Sequence, residues 1–238
     1  MLNNNKIALA LILGSGIELY SDMISDKRII SREYKGVHLK SIFLCRIAGK
    51  EVLVFKGRKH FYEGYNEKEI TANIVLAGEM GAENILLTNA AGGLNENFSE
   101  GDLMMITSHI NFIGKLNFKP VNKLYDKVLQ DRFRNSCIEA GVKLQEGTYG
   151  CYSGPTYETK AEVRFQKKFK LDAAGMSTVP EVLSGAALNF NLIAVSVITN
   201  ILKENISVPA NHESVINTAA KASESLNKIL PLFISQLN

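Results

Sequence analysis

Between residues 192 and 198 the chain runs Leu-Ile-Ala-Val-Ser-Val-Ile, with one serine interrupting an otherwise apolar run. Successive side chains of a strand point to opposite faces, so a strand wet on one side alternates apolar with polar residues. A strand that is apolar on both faces has to be covered on both faces, and helices packed on each side of a sheet do that. Residues 7–13 have the same character. Shorter apolar runs recur at 41–47, 51–56, 84–89, 103–107, 144–152 and 173–176, and the first is prolonged here to 192–200 by Thr199 and Asn200. The expectation is an α/β fold, strand-rich in its first half, and a single domain over 1–238. A length of 238 residues suits one large domain with an ample core.

Several runs alternate with helical patterns. Residues 67–80 read as a helix with Asn66 as N-cap, Glu69 as its capping-box partner and Gly81 as C-cap. Residues 123–140 form another, stopped at Gly141. Stretches 159–169, 180–189 and the C-terminal segment from about residue 211 complete the set, and Pro231 is expected to interrupt or end the last helix. No repeat, low-complexity segment or linker is visible.

Composition narrows the function classes. The chain is 46% hydrophobic and 21% charged, with a net charge of +3 and no basic run longer than Lys167-Lys168. That mild excess suits a small anion such as phosphate and is too scattered for nucleic acid. Cys45, Cys137 and Cys151 are far apart, odd in number and without CxxC spacing, so neither disulfides nor a zinc site is expected and the cytoplasm is the natural compartment. The run 7–13 is a short strand ended by Gly14-Ser15-Gly16 rather than a leader core, and no run approaches the roughly 20 apolar residues of a membrane span.

The polar residues collect where strands end, which is where open α/β sheets bind ligands. Residues 7–13 run into Gly14-Ser15-Gly16, and 84–88 into Asn89-Ala90-Ala91-Gly92-Gly93, read as a Gly-rich turn. Residues 173–175 run into Met176-Ser177-Thr178, and 192–198 into Thr199-Asn200. Small residues let backbone N–H groups approach an anion, although plain turn chemistry uses the same residues. Leu19 stands where a dinucleotide fingerprint needs its third glycine, and no Walker lysine-serine pair follows either turn. In Arg58-Lys59-His60-Phe61-Tyr62-Glu63, Arg58 and His60 share one side if the segment is extended. They form a fork and a second donor for phosphate oxygens, or a solvated loop. Tyr157-Glu158 follows a strand and precedes a helix, giving either a ring and an acceptor for a flat heterocycle or a core tyrosine beside a helix-starting glutamate. His109 and His212 are conspicuous but isolated, and no His/Asp/Glu spacing suits a metal.

Taken together, Leu13–Gly16, Gly57–Tyr65, Leu87–Leu94, Gly101–Ile113, Gly154–Thr159, Ala174–Glu181, Ile198–Asn200 and Asn211-His212-Glu213 resemble the trimeric purine nucleoside phosphorylases of the inosine and guanosine type. The segments occur in the family order across almost the whole chain. The resemblance implies the nucleoside phosphorylase fold, a mixed twisted sheet, partly barrel-like and flanked by helices. It implies phosphorolysis of inosine, guanosine and their 2′-deoxy forms to free base and (deoxy)ribose 1-phosphate, with inorganic phosphate as co-substrate and neither cofactor nor metal. A homotrimer acting in purine salvage is implied as well.

By the same resemblance, Ser15, Arg58, His60, Asn89, Ala90 and Ser177 hold phosphate, with Glu63 steadying His60. Tyr62, Met176 and His212 frame the ribose, and Tyr157, Glu158, Thr199 and Asn200 hold the base. Catalysis falls to His60, Glu158 and Asn200. The related 5′-methylthioadenosine phosphorylases carry Asp where Asn200 stands, so Asn200 and His212 favour a 6-oxopurine with a free 5′-hydroxyl. Methylthioadenosine cleavage and a purine-binding relative without catalysis are the alternatives. Between Gly114 and Tyr125 the chain is shorter than is usual in the family by roughly ten residues, where a neighbouring subunit normally brings an aromatic residue; Phe118 is the candidate.

Overall fold

The computed structural model describes residues 6–33, 40–114, 116–203 and 212–237. Strand β1 (Ile7–Leu13) is buried along its full length and is flanked in parallel by β4 (Lys50–Lys56) and β5 (Asn84–Gly93). Beyond β4, strands β3 (Lys40–Ile47) and β2 (Ser25–Glu33) continue the sheet antiparallel. On the other edge of β5, β9 (Asn191–Ile201) pairs in parallel from Asn84↔Asn191 to Gly93↔Ile201. Strand β6 (Leu103–Asn111) follows antiparallel to β9, then β7 (Leu144–Cys151) parallel to β6 and β8 (Ala173–Gly175) parallel to β7. Strand β8 returns to pair antiparallel with Gly92 and Gly93 of β5. Strands β5, β9, β6, β7 and β8 therefore close on themselves, and β4, β3 and β2 extend from the barrel through β1.

The helices are α1 (Glu67–Ile70), α2 (Ala72–Glu79), α3 (Lys127–Glu139), α4 (Lys160–Lys168), α5 (Val179–Ala187) and α6 (His212–Ser235). The double-sided burial expected of the apolar strands follows from their alternation. Leu9, Leu11 and Leu13 of β1 join one core with Leu129 and Phe133 of α3 and Leu230 and Phe233 of α6. Ala10 and Ile12 face the opposite core with Ile74 of α2 and Val179 and Val182 of α5. Phe133 and Phe233 meet edge to face at 5.4 Å, locking α3 to α6.

Five local expectations change. Asn89–Gly93 is not a turn: β5 continues through it, because β9 and β8 supply hydrogen-bond partners on both edges. Strand β2 has no counterpart in the apolar pattern, since its Ile29 and Ile30 are exposed and it exists by pairing with β3. The helix expected over 67–80 breaks at Thr71, whose hydroxyl donates to the Glu67 carbonyl at 2.9 Å, and Gly81 takes its left-handed conformation one residue past the C-cap Met80. Helix α3 starts only at Lys127, because the Asp126 carboxylate accepts the Leu129 N–H at 2.8 Å and caps it there. Pro231 neither interrupts nor ends α6. Buried Leu230, Phe233 and Ile234 pack the last turns onto the core, and that offsets one missing backbone donor. Among the described residues no helix is long and apolar enough to cross a membrane.

Candidate active site

The loops after β1, β4, β7 and β8 and the far halves of β5 and β9 surround one open cleft of about 680 Å³. Twelve of the thirteen residues assigned to ligands line it, contributed by six separate chain segments: Ser15; Arg58, His60 and Tyr62; Asn89 and Ala90; Tyr157 and Glu158; Met176 and Ser177; Thr199 and Asn200. The thirteenth, His212, opens α6, and its side chain lies outside the described residues. Phe118 does not line this cleft.

At one end the side chains hold each other. Gly14 to Ile17 form a tight turn closed by an Ile17 N–H to Gly14 carbonyl bond of 3.2 Å, with Gly16 at φ 76°. A Cβ on Gly14 would stand 2.6 Å from the Asn89 Cα, so glycine is what lets the Ser15 loop close on β5. Arg58 Nη1 donates to Ser177 Oγ at 3.1 Å and to Thr178 Oγ1 at 3.2 Å, and Asn89 Nδ2 donates to that same Thr178 oxygen at 2.8 Å. Glu181, on the first turn of α5, faces Arg58 Nε at 3.5 Å with both side chains buried. Burial pushes the Glu181 carboxyl up, and the Arg58 guanidinium opposes that. Arg58 Nη2 and Asn89 Oδ1 are buried with no hydrogen-bond partner among the described residues. A buried guanidinium edge without an acceptor at the cleft wall is suited to an anion.

The backbone is strained at this end. Thr178 has φ 80° and ψ −51°, and the Val179 N–H bonds the Ser177 carbonyl at 3.0 Å, which is a tight γ-type turn rarely adopted by a β-branched residue. The same carbonyl accepts from Tyr149 Oη at 3.3 Å and Cys151 Sγ at 3.1 Å, so the core of β7 fixes the turn that aims Ser177. Sequence reasoning gave no role to Thr178 or Glu181, since a positive φ and a buried ion pair leave no periodic signal.

His60 and Glu63 form a second fixed unit. Glu63 Oε2 accepts from both the backbone N–H and Nδ1 of His60, each at 3.0 Å, which sets the imidazole's proton on Nδ1. Burial pushes the Glu63 carboxyl up, but the hydrogen bond and charge of His60, with Lys40, outweigh it and hold the group below the usual carboxylate range. The His60 ring stacks on Tyr62 at 4.7 Å and 15°. Gly154 at φ 70° brings the loop after β7 against Met176 and Tyr62, where any Cβ would lie 2.4 Å from the Met176 sulfur. Val215 of α6 also lines the cleft; its spacing of three from His212 on one helix face was the available clue.

The opposite end is looser. Thr159 caps α4 reciprocally with Glu162, so Glu158 precedes the helix and has no capping duty. Burial and the nearby Glu162 push its carboxyl up, and its own backbone N–H and the Gln166 amide act the other way. Thr199 Oγ1 lies 3.1 Å from Asn200 Oδ1 and 3.3 Å from the Ala91 carbonyl. With the amide oxygen turned to that hydroxyl, Asn200 Nδ2 is left as a donor. Among the described residues no group of three His, Cys, Asp or Glu side chains is placed to hold a metal ion.

The family model described as the phosphorylase superfamily matches residues 8–235. Purine nucleoside phosphorylase 1 of Bacillus subtilis is 32% identical over 250 aligned residues, covering 96% of this chain and 92% of its own. The solved structure of Schistosoma mansoni purine nucleoside phosphorylase with inosine superposes at a TM-score of 0.88 and 27% identity, covering 98% of this chain and 91% of that one. The same schistosome enzyme with adenosine gives 0.90 and 28%, covering 100% and 93%.

Proposed function

The chain belongs to the phosphorylase superfamily and acts in purine nucleoside phosphorolysis, and we propose that its substrates are the 6-oxopurine nucleosides inosine and guanosine, with their 2′-deoxy forms. One observation carries this reading: a buried, self-supported set of anion donors and a half-open pair, Glu158 and Asn200, line the same cleft. Phosphate fits against Ser15, Arg58, His60, Asn89, Ser177 and the Ala90 N–H. The ribose lies between Tyr62, Met176 and His212, and the base against Tyr157, Glu158, Thr199 and Asn200.

Chemistry follows from the charges. A phosphate oxygen attacks C1′ as the bond from C1′ to purine N9 breaks, with the bonding pair leaving on the purine. Positive charge grows on the ribose and is met by the phosphate; negative charge grows on the purine and is met by donors. Asn200 donates to N7 as it becomes basic, and Glu158 accepts from N1–H. The Thr199 hydroxyl on Oδ1 favours the donor orientation of that amide. The nucleophile is the co-substrate, so this reading routes no step through a metal, cofactor or covalent enzyme intermediate, and turnover should survive chelation by EDTA. A cytoplasmic homotrimer with Phe118 reaching a neighbour's cleft completes the proposal, and light scattering in solution tests the subunit count.

The deciding assay mixes the protein with inosine, guanosine, adenosine or methylthioadenosine, with and without phosphate, and follows free base. Phosphate-dependent release from inosine and guanosine is expected. Release without phosphate, or cleavage of methylthioadenosine alone, would overturn the reading, and guanine binding without turnover would make the chain a non-catalytic relative.

A further inference from the structure

Helix α4 turns only two residues fully inward, Val163 and Gln166. Gln166 is 1% exposed, and both polar atoms of its amide are buried without a hydrogen-bond partner among the described residues. The Tyr152 hydroxyl, just past β7, is buried and unpartnered as well. Burying an amide and a phenol unpaired is unfavourable, and two such groups side by side need a common explanation. Neither lines the cleft; Glu158 does, and both are near enough to it to interact electrostatically.

We propose that Gln166 is a positioning residue for the base-reading carboxylate: its Nε2 donates to Glu158 while its Oε1 accepts from the Tyr152 hydroxyl, and this relay holds Glu158 aimed at the purine. It rests on the reading of Glu158 as the acceptor for the base.

The direction of the relay is set by the groups themselves. An ionised carboxylate only accepts, so Glu158 takes the amide N–H; a phenol can donate, so Tyr152 takes the amide oxygen. Tyr152 is held in place by its stack on Phe112 at 4.7 Å and 8°. Glu162, the other acceptor nearby, is occupied by the Thr159 N–H at 2.8 Å and Thr159 Oγ1 at 2.7 Å. The Gln166 amide favours ionisation of both Tyr152 and Glu158, so it is near both, and its two buried atoms are the donor and the acceptor that the relay needs.

The consequence is chemical. Among the described residues, the titratable groups facing Glu158 are Glu162 from the first turn of α4, Tyr152 just past β7 and Tyr157 beside it in the loop. Burial and the Glu162 charge both favour a protonated Glu158, which accepts from N1–H more weakly than the carboxylate does. Gln166 is the side-chain donor that opposes them.

The test measures kcat and KM for inosine, and KM for phosphate, between roughly pH 5.5 and 8.5 in Gln166→Met, Tyr152→Phe, Glu158→Gln and Glu158→Ala. Methionine keeps the volume and removes both hydrogen bonds. In Gln166→Met the inosine KM should rise roughly tenfold near neutral pH, with kcat and phosphate KM within about twofold. The acidic limb of kcat/KM should move to higher pH, and Tyr152→Phe should move it less in the same direction. An unmoved limb, or a loss shared equally by phosphate and inosine at every pH, overturns the relay in favour of packing. Should Gln166→Met fail to fold, the limb in Tyr152→Phe decides in the same way. An ordinary inosine KM in both Glu158→Gln and Glu158→Ala, the latter removing the acceptor altogether, would instead sink the base-acceptor reading. Loss of inosine affinity there, with the limb unmoved in Gln166→Met, sinks the relay alone.

Discussion

The two ends of the cleft are built on different principles. At the end proposed for phosphate, Arg58, Asn89, Ser177 and Thr178 are tied to one another, on a strained turn braced by Tyr149 and Cys151. At the base end Tyr157 and Glu158 sit half-buried in a loop, and the groups behind them are unpartnered. An anion of fixed shape needs donors whose positions are set in advance, because rearranging charged groups during the reaction would cost what their attraction contributes. A planar base is recognised by one ring face and a few edge contacts, which a loop can complete as the base enters. The difference predicts that damage at one end stays there.

The largest effect should come where the base end takes part in bond breaking. Asn200→Ala is expected to lower turnover on inosine by roughly 10²–10³, the usual cost of one donor to developing charge. A loss below about tenfold removes Asn200 from the mechanism. Glu158→Ala should raise the inosine KM by roughly 10² and leave phosphate KM within about twofold, since a buried edge contact to the base is lost while the donors to phosphate stay in place. If phosphate KM rises in parallel, the two ends are one coupled unit and the contrast fails.

Arg58→Lys keeps the charge and loses the fork. Phosphate KM should rise roughly tenfold with inosine KM little changed, because a lysine cannot serve Ser177, Thr178 and an anion together. Glu63→Gln should have the smallest effect, about 1 kcal/mol of stability at neutral pH by chemical denaturation. Its sign with pH follows from the depressed Glu63 carboxyl: the stabilisation is complete above the unfolded carboxylate value of about 4.3 and is lost as pH falls through the lower folded value. The gap between wild type and Glu63→Gln should therefore close in acid; a gap that widens there would contradict the pairing with His60.

The sequence was most legible where a residue's role repeats along the chain. Double-sided burial of β1 and β9 follows from their apolar runs, and the caps Asn66 and Thr159 stand where capping side chains stand. It was least legible where a partner remote in sequence decides the structure. Asn89–Gly93 has turn composition and is strand, because the partners that make it so are some 80 and 110 residues downstream. Strand β2 and the continuation of α6 through Pro231 depend in the same way on β3 and on the core. In the site, eight weak segments in one order picked out residues that the fold gathers around one cleft, but Thr178, Glu181 and Gln166 were left without roles. Thr178 and Glu181 hold Arg58 and Asn89 from behind, Gln166 is proposed to do the same for Glu158, and such contacts have no spacing.

Sequence alone determined the layered α/β architecture, the family and the types of side chain available for phosphate, ribose and purine, because burial period and motif order are properties of the chain. Only the tertiary structure decided that the sheet closes into a barrel, that Thr159 and Glu162 relieve Glu158 of capping α4, and that side chains are cross-linked at one end of the cleft and sparsely paired at the other. Those outcomes depend on which distant segments come within hydrogen-bond reach, and no linear pattern encodes that distance.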